Sequence, residues 1–350
     1  MGSYFEIGNT IIEALLALEK KSFHQTLFVV NKQGILIGTL TDGDIRRYLI
    51  NGGQLTDDVE YAIHRNFVYV KQGDSALLAK LKEFRAKNLK VVPLLDKLGH
   101  IVDIYDLINY KSYLPIDVVL MAGGKGERLR PLTEKTPKPL LLVGDKCIID
   151  YNIDRLISYG IEHISVTCNY LKEQLYAHFE KPRLGVKINC VTEPNFLGTI
   201  GAIKFVETFY NDTVLVMNSD LFTDVDYEDF YLHFKEHNAD MSVAAVPYNV
   251  SIPFGILDLD GRNIKGLLEK PKYNYYANAG IYLFKKSAIV EIPKGTFFNA
   301  TDFIEKLIAQ GKKVVRYPLN GTWIDIGQHV DLVKAQDLVK HLKKHGNENR

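Results

Sequence analysis

Two different patterns of apolar and polar positions divide this 350-residue chain. In the first, Leu27-Phe28-Val29-Val30 reads as a strand, Asn31-Lys32-Gln33-Gly34 as a turn and Ile35 to Leu40 as a second strand. Thr41-Asp42-Gly43-Asp44 then opens a helix. Val91-Val92-Pro93-Leu94-Leu95, the turn Asp96-Lys97-Leu98-Gly99, His100 to Ile104 and Asp106-Leu107 repeat the plan. Each copy follows a segment with apolar residues at helical spacing, Thr10 to Lys21 and Ser75 to Lys87. Two copies of helix–strand–strand–helix predict a tandem module over residues 1–112. Lys111-Ser112-Tyr113-Leu114-Pro115 breaks the pattern and marks a linker.

From residue 116 to 350 the pattern becomes strand–helix alternation. Val118-Val119-Leu120 is an apolar strand, and Ile149 to Ser158 a helix closed by Gly160. His163 to Cys168, a helix from Leu171, a strand Lys187 to Val191, a helix from Thr199 and a strand Thr213 to Met217 follow. A helix over Val330 to Lys344 and a loose tail, Gly346 to Arg350, complete the expectation. Alternation of this kind predicts an α/β domain with a mostly parallel sheet, its ligands at the carboxyl ends of the strands.

Composition narrows the chemistry. A formal net charge of +1 provides no global field for nucleic acid or an anionic membrane, so a polyanionic substrate needs a local cluster of cations. Cys147, Cys168 and Cys190 are scattered, without Cys-x-x-Cys spacing, which argues against a disulfide framework or a zinc site and for a reducing cytoplasm. The first residues, Met1-Gly2-Ser3-Tyr4-Phe5-Glu6, lack the basic and apolar regions of a signal peptide. No segment approaches the ~20 apolar residues that span a bilayer. The expectation is a soluble, cytoplasmic protein.

The sharpest chemical signal is Leu120-Met121-Ala122-Gly123-Gly124-Lys125-Gly126-Glu127-Arg128-Leu129-Arg130-Pro131-Leu132-Thr133, followed by Thr136-Pro137-Lys138-Pro139-Leu140. Three glycines just after a buried strand let the backbone approach a ligand and aim N–H groups at phosphate oxygens. Prolines on both sides of Lys138 restrict the backbone that carries its ammonium. A dinucleotide fingerprint would need glycine at position 129, which is Leu, and no Gly-Lys-Ser/Thr ends the run as in a P-loop.

With Arg128 and the Pro-Lys-Pro in place, the run resembles the opening signature of the sugar-1-phosphate nucleotidyltransferases. The match extends from about residue 117 to 335, with Glu127 standing where that family usually has Thr. A carboxylate beside a triphosphate is unexpected, so Glu127 is expected to point away or pair with a base. The resemblance implies a Rossmann-like, GT-A-like nucleotidyltransferase fold with a mixed, mostly parallel sheet. It places Arg128 and Lys138 in catalysis and Leu120, Ala122, Gly123, Gly124 and Gly126 against the nucleotide.

Later segments agree in order. Val214 to Met217 and Asn218-Ser219 deliver Asp220 at the end of a buried strand, and Gly321-Thr322-Trp323-Ile324-Asp325-Ile326-Gly327 delivers a second carboxylate. In the family the matching aspartates hold Mg²⁺, a hard ion that prefers oxygen ligands. Glu193-Pro194-Asn195-Phe196-Leu197-Gly198-Thr199-Ile200-Gly201 resembles its base-and-ribose loop, which places Glu193, Gly198 and Thr199 at the nucleotide. Gly255, Glu269, Lys270, Asn278 and Gly280 fall in segments that resemble its sugar-phosphate wall.

The first 112 residues resemble a pair of CBS motifs, modules that sense adenine nucleotides, so the whole would be a small α+β tandem CBS domain ahead of the catalytic one. Gly38 to Asp44 matches that pattern, with Thr41 and Asp44 suited to a ribose, although the same two residues suit a helix cap. The second copy has no Thr at the matching position. Paired CBS motifs often self-associate, so a homo-oligomer is expected.

The implied reaction joins a nucleoside triphosphate and a sugar-1-phosphate and releases pyrophosphate. Fusion of a CBS pair to such a domain resembles the guanylyltransferases of bacterial surface-sugar pathways. GTP and glucosamine-1-phosphate therefore rank first, ahead of dTTP or UTP and of mannose-1-phosphate. Glu193 adds a slight hint, since one carboxylate can accept from both N1–H and N2–H₂ of guanine. The competing reading is a nucleotide-sugar-binding regulator without activity.

Overall fold

A computed structural model describes residues 4–20 and 25–348, with side chains through residue 341. The chain divides into two compact units, Met1–Tyr113 and Leu114–Arg350.

The first unit contains β1 (Tyr4–Glu6), α1 (Ile11–Lys20), β2 (Thr26–Val30), β3 (Leu36–Thr41) and α2 (Asp42–Ile50). Its second half contains β4 (Val70–Lys71), α3 (Leu77–Ala86), β5 (Val91–Leu95) and β6 (Ile101–Asp106). Each half is a three-stranded sheet in which a short strand runs parallel to the first arm of a hairpin, β1-β2-β3 and β4-β5-β6. A bridge between Ile35 and His100 joins the halves, and Phe28, Leu36 and Leu95 pack together between them. The second copy departs from the expected plan because no helix follows β6. Asp106 Oδ1 instead accepts from the N–H groups of Ile108 and Asn109 at 2.9 and 3.0 Å and closes a turn. Helix α1 ends at Lys20, and the expected last residue, Lys21, lies outside the described residues.

The second unit begins with β7 (Asp117–Met121), then β8 (Leu142–Val143), β9 (Lys146–Cys147), α4 (Ile148–Ser158), β10 (His163–Cys168), α5 (Lys172–His178) and β11 (Ile188–Thr192). It continues through β12 (Thr213–Asn218), β13 (Leu221–Thr223), α6 (Tyr227–Glu236), β14 (Met241–Ser251), β15 (Ile256–Asp260), β16 (Asn263–Leu268) and β17 (Lys272–Lys285). The last elements are α7 (Ala300–Ala309), β18 (Val314–Pro318), β19 (Trp323–Asp325) and α8 (His329–Glu348). The final helix therefore reaches further than the sequence predicts, taking in Gly346 to Glu348; Asn349 and Arg350 lie outside the described residues.

Seven strands form one sheet in the order β11-β10-β7-β12-β17-β14-β18. Every neighbouring pair is parallel except those of β17, which runs against both β12 and β14. The fold is thus α/β, with a mixed, mostly parallel sheet. Continuous apolar runs make this possible, since β7 and β12 are covered on both faces and bury nearly every side chain. The connections diverge from β7 toward β10 on one side and β12 on the other. That reversal opens a crevice beyond the carboxyl ends of the strands. Among the described residues no helix is long and apolar enough to cross a membrane.

Candidate functional site

The crevice beyond β7 and β12 is a cleft of about 620 Å³. Its floor is the glycine run. The Ala122 N–H donates to Thr167 O at 3.1 Å, which carries the chain out of the sheet beside β10. Gly126 turns with a left-handed φ of 64°, and a Cβ there would lie 3.0 Å from the Thr133 methyl and 3.1 Å from Lys138 Cβ. The turn is fixed by Thr133 Oγ1 donating to Gly126 O at 2.8 Å. Leu129, fully buried against Phe222 and Ile326, anchors the next turn and leaves Arg128 on the cleft side. Gly123 meets a different constraint, because a Cβ there would stand 2.2 Å from Glu193 Oε1.

Lys138 begins the short 3₁₀ turn Lys138–Leu140, which packs against α4. It is buried, and its ammonium pairs with the carboxylate of Asp220. Asp220 is held from both sides. Ser219 donates through Oγ to Met121 O at 2.7 Å, and the buried Asn152 amide donates to Leu221 O at 2.7 Å.

Directly after Asp220, β13 pairs antiparallel with β19 in a register that sets Leu221 opposite Asp325. The Ile326 N–H then donates to Asp220 O at 3.2 Å. This small ladder brings two carboxylates together that the sequence keeps far apart. Burial first, then the neighbouring Asp220, push the Asp325 carboxyl above its ordinary range, while Lys138 and Arg128 oppose that shift. Arg128 lies over Gly327, where a Cβ would be 3.2 Å from Nη2. Arg128, Lys138, Asp220 and Asp325 therefore converge.

The donor set suits a hard divalent cation. Asp220 Oδ1 is buried without a hydrogen-bond partner, and the neighbouring carboxylate is electrostatically crowded by it. A cation relieves both conditions, and oxygen ligands of this kind match Mg²⁺ chemistry.

Most residues expected at the nucleotide line the cleft: Ala122, Gly123, Gly124, Gly126, Glu193, Gly198 and Thr199. Leu120 does not. Its side chain is fully buried inside β7, between the β10 and β12 neighbours, and Met121 is the residue that reaches the cleft. Position along the strand accounts for the difference, since both faces of β7 are covered and Met121 is its last residue. Glu127 is an exposed residue at the edge of the cleft, and its carboxylate has no hydrogen bond or ion pair among the described residues. Glu193 is buried, accepts from the Leu197 N–H at 3.4 Å, and burial raises its carboxyl above the usual range.

The residues expected at the sugar phosphate do not themselves line this cleft. Gly255, Glu269 and Lys270 are exposed at the base of the β15–β16 hairpin, a two-stranded sheet of its own. Asn278 is also exposed and accepts from the Gly280 N–H at 2.9 Å. Gly280 reaches the cleft only through Asn218, whose side chain sits 2.6 Å from where a Cβ would be. Lys125, Asn169, Phe196 and Asn218 line the cleft without having been singled out. Asn218 ends β12, Asn169 directly follows β10 and Asp220 lies two residues past β12, so position at the strand ends is the available signal.

In the first unit, Thr41 and Asp44 form a capping box at the start of α2. Asp44 Oδ2 accepts from Thr41 N at 2.9 Å and from Thr41 Oγ1 at 2.6 Å, and Arg47 pairs with Oδ1 at 2.5 Å. Both oxygens are thereby engaged within the helix start, and Asp44 does not line the neighbouring cleft of about 470 Å³. Thr39, Thr41 and Asp42 line it from one half and Asn88, Lys90 and Pro93 from the other.

Comparison with known proteins gives the following. Residues 117–341 match the model of the family described as nucleotidyl transferase, and residues 4–51 match that of the CBS domain. The chain is 32% identical over 235 residues to the mannose-1-phosphate guanylyltransferase of Mycobacterium tuberculosis, covering 65% of this chain and 66% of that one. It is 32% identical over 228 residues to the bifunctional protein GlmU of Methanocaldococcus jannaschii, covering 63% of this chain and 53% of that one. The chain thus spans less than two thirds of the length of these relatives. Among solved structures, HddC from Yersinia pseudotuberculosis complexed with GMP-PN superposes with a TM-score of 0.50 at 25% identity, covering 64% of this chain and 99% of that one.

Proposed function

Because the chain belongs to the nucleotidyl transferase family, we propose that it transfers a nucleotidyl group from a nucleoside triphosphate to a sugar-1-phosphate, with GTP and glucosamine-1-phosphate as the favoured pair. The observation that carries this reading is the meeting of Arg128, Lys138 and Asp220 at a glycine-lined cleft, with Asp325 close behind them.

A phosphate oxygen of the sugar-1-phosphate attacks the α-phosphorus. The bond from that phosphorus to the bridging oxygen breaks, and pyrophosphate leaves. Both reactants are anions, so the site lowers the barrier by holding them in line and neutralising charge. The backbone from Gly123 to Gly126 cradles the triphosphate, and Arg128 grips it and the departing pyrophosphate. Lys138, fixed between two prolines, lies between the reacting phosphates. Asp220 and Asp325 hold Mg²⁺, which when bound supplies charge neutralisation to the phosphate oxygens. The Glu193 carboxylate accepts from N1–H and N2–H₂ of guanine, which favours GTP over dTTP or UTP. The guanine nucleotide named for the HddC complex and the guanylyltransferase named for the mycobacterial relative support the same base. The relative's substrate makes mannose-1-phosphate the second choice of sugar.

Pyrophosphate release, measured for GTP, dTTP and UTP against glucosamine-1-, mannose-1- and glucose-1-phosphate, tests the assignment. No turnover with any pair would leave the inactive, nucleotide-sugar-binding reading. For the first unit we propose an adenine nucleotide in the cleft that includes Thr41, with Asp44 holding the helix start instead of the ribose. Calorimetry of the full chain with AMP and ATP tests this, and a flat titration leaves only self-association for that unit.

A further inference from the structure

Phe196 lines the nucleotide cleft with 51% of its surface exposed, an unusual place for a large apolar ring on a loop that otherwise presents backbone and a carboxylate. Phe297 stands beside it, 55% exposed, with ring centroids 5.9 Å apart and planes at 60°, an edge-on pair. Sequence spacing gives no hint that these two rings meet.

The backbone explains how they are held. Phe298 N–H donates to Leu197 O at 3.0 Å, and the N–H groups of Ile200 and Gly201 donate to Phe298 O, each at 3.2 Å. Thr199 N–H donates to Asn299 Oδ1 at 3.3 Å, while Ala300 N–H donates to Thr199 Oγ1 at 2.8 Å. A Cβ on Gly198 would lie 2.7 Å from Phe298 O, so only glycine lets the strips approach this closely. The second strip runs directly into α7, whose Phe303 and Leu307 are fully buried in the core. Gly198 and Thr199 therefore work chiefly as a seam. The seam fixes Phe196 at the cleft with Phe297 beside it, each three residues away in its own strip, from Glu193 and from Ala300 respectively.

We propose that Phe196, braced by Phe297, is a stacking platform for the nucleobase and sets a preference for purine over pyrimidine triphosphates. This rests on reading the cleft as the triphosphate site. A flat ring beside a buried carboxylate supplies what base recognition needs: a π face for stacking and an acceptor for the base edge. Stacking of a base on an aromatic side chain is tolerant of base identity, but a bicyclic purine covers more of the ring. Phe297 limits the tilt of Phe196 and so keeps its face toward the cleft.

The test is calorimetric titration of the full-length chain with GTP and with UTP in the presence of Mg²⁺, for wild type, Phe196→Ala, Phe196→Tyr and Phe297→Ala. Because Phe196 is half exposed, the variants should fold, and thermal melts check that they do. Phe196→Ala should weaken GTP binding by roughly 5- to 150-fold, the range of alanine substitutions at stacking aromatics. UTP binding should fall by less, and Phe196→Tyr should restore GTP binding. Phe297→Ala should weaken GTP binding in the same direction to a smaller extent, and KM for the sugar-1-phosphate should stay unchanged throughout. Unchanged GTP affinity in Phe196→Ala, an equal loss for UTP, or a loss in Phe196→Tyr as large as in the alanine variant would each overturn the platform. Unchanged affinity in Phe297→Ala would overturn its bracing role. If wild type binds GTP but forms no pyrophosphate with any sugar-1-phosphate, the catalytic reading falls while the titrations still decide the platform.

Discussion

Replacing Lys138 with alanine separates two consequences of one buried ion pair. The side chains of Lys138 and Asp220 are 11% and 19% exposed; the ammonium meets Asp220 Oδ2, and Oδ1 has no hydrogen-bond partner. Without the ammonium, Asp220 faces Asp325 with Arg128 left to offset them. Breaking a buried pair on one side typically costs about 3–5 kcal/mol because the remaining charge is left uncompensated. Partial exposure of Asp220 puts the expected loss near the lower end, about 3 kcal/mol. For a unit of this size that corresponds to a fall in Tm of roughly 6–12 °C.

Mg²⁺ should reverse much of that loss, since a ligand at a hundred times its Kd contributes about 2.7 kcal/mol. The gain should exceed that in wild type, where the cation must first displace the ammonium. Turnover should behave differently. Loss of one preorganised electrostatic group costs on the order of 10²–10³ in kcat, and Mg²⁺ cannot replace it between the phosphates. The assays are thermal melts with and without Mg²⁺ and steady-state pyrophosphate release. A variant that melts like wild type without metal, or that keeps kcat within about 10-fold, would refute the reasoning.

Three further outcomes follow from the geometry. Glu193 has its carboxyl raised by burial, so it takes up a proton at a higher pH than an exposed glutamate and loses its acceptor role there. KM for GTP should therefore climb as pH falls from neutral, beginning above the ordinary carboxylate range, and Glu193→Gln should remove that climb. Gly123→Ala places a Cβ 2.2 Å from Glu193 Oε1, so it should lower kcat/KM for GTP, with a stability loss of about 1–3 kcal/mol in melts. Thr41→Ala removes the cap of α2 and should destabilise the first unit by about 1 kcal/mol with no adenine nucleotide present, as read by denaturant unfolding.

Local chemistry made part of this legible in sequence. The run from Leu120 to Thr133 declares a strand, a glycine turn and Arg128, and the Pro-Lys-Pro that follows declares Lys138, because each feature depends on adjacent residues; strand–helix alternation announces the sheet. Pairings between distant segments stayed hidden. Asp220 and Asp325 meet only through the β13–β19 register, which the hydrophobic pattern of a three-residue strand does not encode. Thr199 looks like a helix entrance, yet its hydroxyl accepts from Ala300, and only the five-residue 3₁₀ turn Gly201–Phe205 follows. Motif position points to Leu120, while coverage of both faces of β7 buries it and leaves the strand's last residue, Met121, at the opening. Gly255, Glu269 and Lys270 were legible as short motifs, but the exposed hairpin they flank was not.

The three-residue pairing of β13 with β19 also bears on synthesis. Most of what shapes the glycine turn and presents Asp220 is translated well before Trp323 to Asp325 leave the ribosome, Ile326 and Gly327 excepted. A nascent chain can bury most of the large sheet while its cation site still has one carboxylate. Such an intermediate would be folded yet inert, and the onset of turnover would report arrival of the carboxyl-terminal segment.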